Sequence, residues 1–294
     1  MNITAEDIKK AIEFEDDFGH EMRVGGILKN FQANASSFQF QRSLITPPSH
    51  GGTYQDPKTE KTRQFDYRCK IVSGHQSQKT VLLPVECKNL KAECPLVICG
   101  RDRDIQESYH HYIAKDRNGN PSILKVEQGA SFYKPNSFAG KSISRLKRNQ
   151  KNELADVGDS DVYDSWSQAL ASSHDLVKDA IFAESETSVW SFIMPLVVVP
   201  NESLWIADYN DEGIIIDGPK PINQCSYYVD QRMMFEMPLG MSLQTRLDFQ
   251  ITHIHFATML GLVEILTQFA NSDSHCWDAI FNSHAATLVK SKSP

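Results

Sequence analysis

Apolar residues at Ile8, Ile12, Phe18, Met22, Ile27 and Leu28 recur at helical spacing, and Thr4 followed by Asp7 has the form of a capping box, so one or two helices are predicted through about residue 31. The alternation Phe38-Gln39-Phe40-Gln41 predicts a strand, ended by the breaker-rich stretch from Thr46 to Gly52, a loop placed to hover over a site. Strands are predicted near 66–72 and 80–87, joined through Ser73 to Ser77; their unbroken apolar runs imply burial on both faces. Pro95 to Arg101 predicts another short strand and Arg103 to Ile113 a helix. Residues 114–158, rich in Gly, Asn, Ser and Lys, suggest a polar insertion or flap outside the core.

Asp161 to Phe182 predicts a helix with Trp166, Leu170, Leu176 and Val177 on its apolar side. Ile193 to Val199 then predicts a buried strand, with Leu204 to Tyr209 as its hairpin partner across the Pro200 to Ser203 turn. Asp217 to Asn223 looks turn-like, Ile251 to Phe269 looks like a buried helix, and Lys290 to Pro294 a frayed tail. No internal repeat or low-complexity tract interrupts this order.

Within it, Val81-Leu82-Leu83-Pro84-Val85-Glu86-Cys87-Lys88 is an apolar strand ending in Glu-x-Lys. Successive side chains of a strand point to opposite faces, so Glu86 and Lys88 share a face while Cys87 points the other way. Asp66, in Gln64-Phe65-Asp66-Tyr67-Arg68, would complete an oxygen-rich corner beside them. Mg²⁺ favours such a corner, taking one or two carboxylates and filling its shell with water and phosphate oxygens. A Glu and a Lys at alternate strand positions also serve as a solvated face or a cross-strand ion pair, and an acid on a helix as acidic as this one also serves as a wet face.

An acid on one strand followed by Glu-x-Lys on the next resembles the PD-(D/E)XK nuclease superfamily. The resemblance extends to Phe18-Gly19-His20-Glu21-Met22-Arg23-Val24, which looks like the superfamily's first helix and its supporting acid. Phe65 stands where the superfamily's Pro would precede Asp66, a position that shapes the turn and supplies no ligand. The resemblance implies an α/β restriction-endonuclease-like core, a central mixed sheet flanked by helices, over residues 1–209. It would carry the polar insertion at about 90–158, with 210–294 as a C-terminal α/β extension. It implies a Mg²⁺-dependent nuclease, Mn²⁺ substituting, with Asp66, Glu86 and Glu21 as metal ligands and Lys88 positioning or deprotonating the water. Restriction, phage defence or repair are the settings it suggests, with concerted double-strand cutting calling for a homodimer or a partner protein. A catalytically silent copy that binds nucleic acid or scaffolds an assembly is the alternative.

The 294 residues allow one large domain or two modest ones, and 40% hydrophobic with 23% charged content is ordinary for a globular chain. Net charge is −7, but residues 1–150 carry 23 Lys+Arg against 17 Asp+Glu, while 151–294 carry 7 against 20. The half holding the motif is therefore the basic half, which suits DNA, or RNA, as partner. Its candidate phosphate contacts are Arg101, Arg103 and His110, with Lys141, Arg145, Lys147 and Arg148 in the run Lys141 to Lys151, expected as a loop or helix face. Gln168 is a candidate site-lining residue. His253 and His255, two apart in the expected helix, would face different ways and act structurally.

The six cysteines show no Cys-x-x-Cys spacing, so reduced thiols rather than a zinc site are expected. No segment has the length and apolarity of a membrane span, and Met1 to Asp7 lacks a signal-peptide pattern, so a cytoplasmic protein with no membrane partner is expected. No Gly-rich phosphate loop and no Gly-x-Ser-x-Gly elbow is present.

Overall fold

The computed structural model describes residues 3–35, 43–73, 78–90, 94–149, 151–156, 160–184, 187–238, 246–270 and 275–289. The segment Phe38 to Gln41 and the tail from Lys290 lie outside them. Helix α1 (Ala5–Glu15) starts at the expected box: the Asp7 carboxylate accepts the Thr4 N–H at 3.0 Å, and Thr4 Oγ1 accepts the Asp7 N–H at 3.2 Å. Asp16, at φ 39°, breaks the helix, and α2 (Asp17–Ala35) follows with Val24 and Leu28 fully buried.

Next come β1 (Ser43–Ile45), β2 (Ser49–His50), β3 (Thr53–Gln55), β4 (Thr62–Gln64), β5 (Tyr67–Ser73) and β6 (Gln78–Cys87). They are followed by β7 (Leu96–Asp102), β8 (Tyr109–Lys115), β9 (Pro121–Glu127), β10 (Phe138–Arg148) and β11 (Leu154–Asp156). Helix α3 (Ser160–Phe182) leads to β12 (Val189–Ile193), β13 (Leu196–Val199), β14 (Leu204–Tyr209), β15 (Ile215–Pro221), β16 (Gln224–Glu236) and β17 (Arg246–Thr258). Helices α4 (Met259–Ala270) and α5 (His275–Ile280) and strand β18 (Ala286–Leu288) end the described chain.

The architecture is α/β, with nearly all strands in one large mixed sheet and the helices on its faces. Strand β6 is its hub. One edge of β6 pairs antiparallel with β5, while the other pairs parallel with β12 over Gln78 to Leu82 and with β13 over Val85 to Cys87. Beyond β12 run β8, β9 and β18; beyond β13 run β17, β16, β10, β7, β14 and β15. Val81, Leu83 and Val85 bury against the layer of α2 and α4, and Leu82 against the layer of α3. The Cys87 N–H points to the β5 side and the Lys88 N–H to Val198 of β13, so the even-numbered amide positions face the β12–β13 edge. Pro84 lies on that edge opposite the Met194-Pro195 interruption, where its missing N–H leaves no ladder bond unmade.

Several expectations are corrected. Residues 103–113 form a single 3₁₀ turn (Ile105–Glu107) and β8 rather than a helix; Tyr109, His110, His111, Tyr112 and Ile113 are all buried, so the strand shows no alternation. Residues 114–158 are not a flap outside the core, because β9 and β10 place Ile123, Val126, Ala139 and Ile143 in it. The run Lys141 to Arg148 is strand, paired with β7 and β11. Residues 251–258 complete β17 before α4 begins, because an apolar run buried on both faces lacks the period that separates strand from helix. β14 pairs with β7 and β15 instead of forming a hairpin with β13. Residues 215–221 make β15, its register shifting near Asp217 and Gly218, which stand at φ 55° and 73°. The stretch beyond residue 210 continues the same sheet, since β17 pairs with β13.

All six cysteines are free. Among the described residues no helix is long and apolar enough to cross a membrane.

Helix α2 approaches the sheet at Gly25, where an added Cβ would fall 2.2 Å from Tyr67 Oη. Gly25→Ala is expected to destabilise the fold by about 1–3 kcal/mol. Gly26→Ala, with nothing within 4 Å of its added Cβ, should be neutral or slightly stabilising. Denaturant melts of the two variants check this.

Candidate active site

The antiparallel register Tyr67↔Val85, carried one residue further, sets Asp66 opposite Glu86 at the end of the β5–β6 pair. One oxygen of Asp66 accepts the Cys87 N–H at 2.6 Å and so caps the last turn of the ladder. Burial, with the Glu21 charge adding to it, pushes the Asp66 carboxyl up to about 6 in spite of that bond. Glu86 is 3% exposed, and its Oε1 has no hydrogen-bond partner. Burial first, then the charges of Asp66 and Glu21, hold its carboxyl well above the usual range, with Arg68 opposing. Lys88, just past the end of β6, is half-buried and donates its main-chain N–H to Val198 O at 2.8 Å.

Glu21 reaches this corner from α2. Its neighbour His20 is fully buried and donates Nε2–H to the same Val198 carbonyl at 3.1 Å, tying the first turns of α2 to the main chain at Lys88. Burial holds the His20 imidazole below its ordinary pKa, consistent with a neutral ring. The Glu21 carboxylate itself meets His50, Oε1 to Nε2 2.6 Å.

The pairs of β2 with β5 and of β3 with β4 belong to one register, bridged by Gly51 N–H to Asp66 O at 3.2 Å and Phe65 N–H to Gly52 O at 3.0 Å. Residues 49–68 are therefore one antiparallel ribbon with Asp66 partway along it. Gly51 has φ 69°, and a Cβ on Gly52 would stand 2.6 Å from the Phe65 ring. Only glycine suits both places. The outer part of the ribbon lies on α3: Tyr54 Oη donates to Gln168 O at 3.2 Å. The Arg68 guanidinium sits 4.2 Å from the Phe65 ring centroid and reaches Ser172 Oγ at 3.1 Å and Asp175 at 2.8 Å. Burial and the nearby Glu86 charge both raise the Tyr54 phenol. Gln168 meets the ribbon through its main-chain carbonyl.

The structure brings together Asp66, Glu86 and Glu21, with His20, His50, Tyr54 and Arg68 around them, while Lys88 is placed by its main-chain bond to Val198. It does not bring the basic candidates there. Strand β10 lies four strand positions from β6, about 19 Å along the sheet at a strand spacing near 4.8 Å. Arg101 pairs with Asp104 at 2.6 Å and Asp211 at 3.0 Å, and Lys141 pairs with Glu107. Arg145 is half-buried, while Lys147 and Arg148 are exposed. Arg103 is corrected as a phosphate contact: it is 4% exposed, and His253 Nε2, Lys134 O, Ser137 Oγ, Phe138 O and Ser226 Oγ take up its donors. His110 is likewise buried, bonded to Ser131 Oγ and Ile280 O. His253 and His255 are structural, but on one face of β17: His253 stacks on Tyr133 at 3.7 Å and His255 meets the Tyr133 hydroxyl at 3.0 Å.

Among the described residues no three His, Cys, Asp or Glu side chains converge tightly enough to enclose a metal ion. Asp66 and Glu86 stand at opposed register positions, and the buried Glu86 Oε1 makes no hydrogen bond. No protein-family model matches the chain, and no curated protein or solved structure matches it.

An acid whose pKa is raised on folding favours the folded state while protonated and loses that contribution as pH rises through the folded value. For Asp66, moved from 3.8 to about 6, wild type should lose up to about 3 kcal/mol relative to Asp66→Asn between about pH 4 and pH 7. Asn keeps an acceptor for the Cys87 N–H. Chemical denaturation across this range checks it, and a pH-independent difference would contradict the raised pKa.

Proposed function

We propose that this chain is a metal-dependent nuclease that hydrolyses phosphodiester bonds, with DNA as the preferred polymer. The observation that carries the proposal is Glu86, a buried carboxylate with an orphaned oxygen at the end of β6, opposite Asp66 and two residues before Lys88 in the chain. Burying an acid beside another acid costs stability, and a purely structural strand end has no use for it. The reading of the fold as restriction-endonuclease-like belongs to the same proposal, supported by the β5–β6 pair with α2 over one face and α3 over the other.

Asp66 and Glu86 would hold Mg²⁺, or Mn²⁺ in its place. When bound, the cation would stabilise charge on the phosphoryl oxygens and lower the pKa of a coordinated water. The Cys87 N–H holds the Asp66 carboxylate in place. Lys88, its main chain fixed by Val198, carries an ammonium that positions the attacking water and offsets the negative charge gathering at phosphorus. Glu21 stands at the rim, paired with His50. Lys147 and Arg148, exposed on β10, suit contacts to a backbone extending away from the cut.

Purified protein incubated with supercoiled plasmid, and separately with single-stranded RNA, is expected to nick DNA with Mg²⁺ or Mn²⁺ and not with EDTA. Lys88→Ala and Glu86→Gln should each slow nicking about 100-fold with melting behaviour retained. Binding without metal-dependent turnover in the wild type would replace this proposal with a silent nuclease fold.

A further inference from the structure

The Glu21 carboxylate, expected from sequence as a third metal ligand, is already engaged. Its Oε1 lies 2.6 Å from His50 Nε2, and the imidazole is held from behind by a stack on Tyr67, with ring centroids 4.6 Å apart and planes at 18°. The support is rigid, because Tyr67 is 1% exposed and closes against Gly25 of α2. His50 pairs with Tyr67 across the ribbon, and the next residue, Gly51, bonds the Asp66 carbonyl. This sets the ring one position along the ribbon from the proposed metal ligand.

With the Glu21 carboxylate accepting from Nε2–H, the lone pair of a neutral ring lies on Nδ1. Among the described residues Nδ1 makes no hydrogen bond, and the side chain is 36% exposed. An imidazole oriented by a carboxylate on one nitrogen, with the other nitrogen free, has the geometry of a general base.

On the phosphodiesterase reading above, we propose that His50 is a catalytic base and Glu21 its positioning residue rather than a metal ligand. The water oxygen forms a new bond to phosphorus as its proton passes to His50 Nδ1. The scissile P–O bond breaks with its electron pair on the leaving oxygen, which takes a proton from solvent water. The hydroxide so produced removes the proton from the imidazolium and restores the base.

The test compares wild type, His50→Ala, His50→Phe, Glu21→Gln and Asp66→Asn at saturating Mg²⁺. It measures plasmid cleavage, rescue by added imidazole, and the rise in Tm on adding Mg²⁺. Both His50 variants should cut about 100-fold more slowly, and imidazole should restore His50→Ala but not His50→Phe, whose ring fills the place over Tyr67. The Mg²⁺-induced rise in Tm should be as large in Glu21→Gln as in wild type and lost in Asp66→Asn. Loss of that rise in Glu21→Gln would make Glu21 a ligand and overturn the dyad. Undiminished cleavage in the His50 variants, or slow cleavage that imidazole does not rescue, would overturn the base. A wild type that gains stability from Mg²⁺ yet cuts no phosphodiester would instead show that the nuclease reading has failed, and the dyad with it.

Discussion

The arrangement depends on β6 being paired along both edges while both of its faces are buried. Its partner on one side is the continuous strand β5; on the other it is a segment interrupted at Met194-Pro195, whose halves belong to different wings of the sheet. The strand end at Cys87 is therefore fixed by β5, by β13 and, through Val198, by α2. A carboxylate placed there cannot swing into water as a surface acid does. This confinement raises both pKa values, and the Asp66 charge adds to the shift at Glu86.

Local pattern foretold the strands that carry these acids. The apolar runs of β5 and β6 and the Thr4–Asp7 box were readable locally, whereas Ile8, Phe18 and Met22, whose spacing predicted the first helices, are exposed. What the sequence concealed was long-range or doubly buried. Strand β17 and the first turns of α4 form one apolar run, whose change from strand to helix leaves no mark in hydrophobicity. Strand β8 was hidden in the same way, with aromatic and histidine side chains buried on both faces. His50 and Arg68 lack any local signature, since their importance comes from partners on α2 and α3.

Charge counting told less than it promised. The excess of cations in the first half of the chain is real, but Arg101 and Lys141 meet carboxylates and Arg103 is enclosed. Arg103 shows what a basic residue can do besides meeting phosphate. With main-chain carbonyls, hydroxyls and His253 as acceptors, its guanidinium stitches the turns after β7 to β10, β16 and β17. An arginine close in sequence to a catalytic motif is thus no guide to the substrate path until its exposure is known.

The uninterrupted register of residues 49–68 carries an evolutionary implication. Because β3 and β4 remain in step with β2 and β5, matched residues added or removed at the tip between Gln55 and Thr62 would change the length of the ribbon by about 3.4 Å per pair without shifting the frame at its base. The reach of this arm and the placement of Asp66 are separable properties of one hairpin. A lineage can therefore vary what the arm touches while inheriting its chemistry intact.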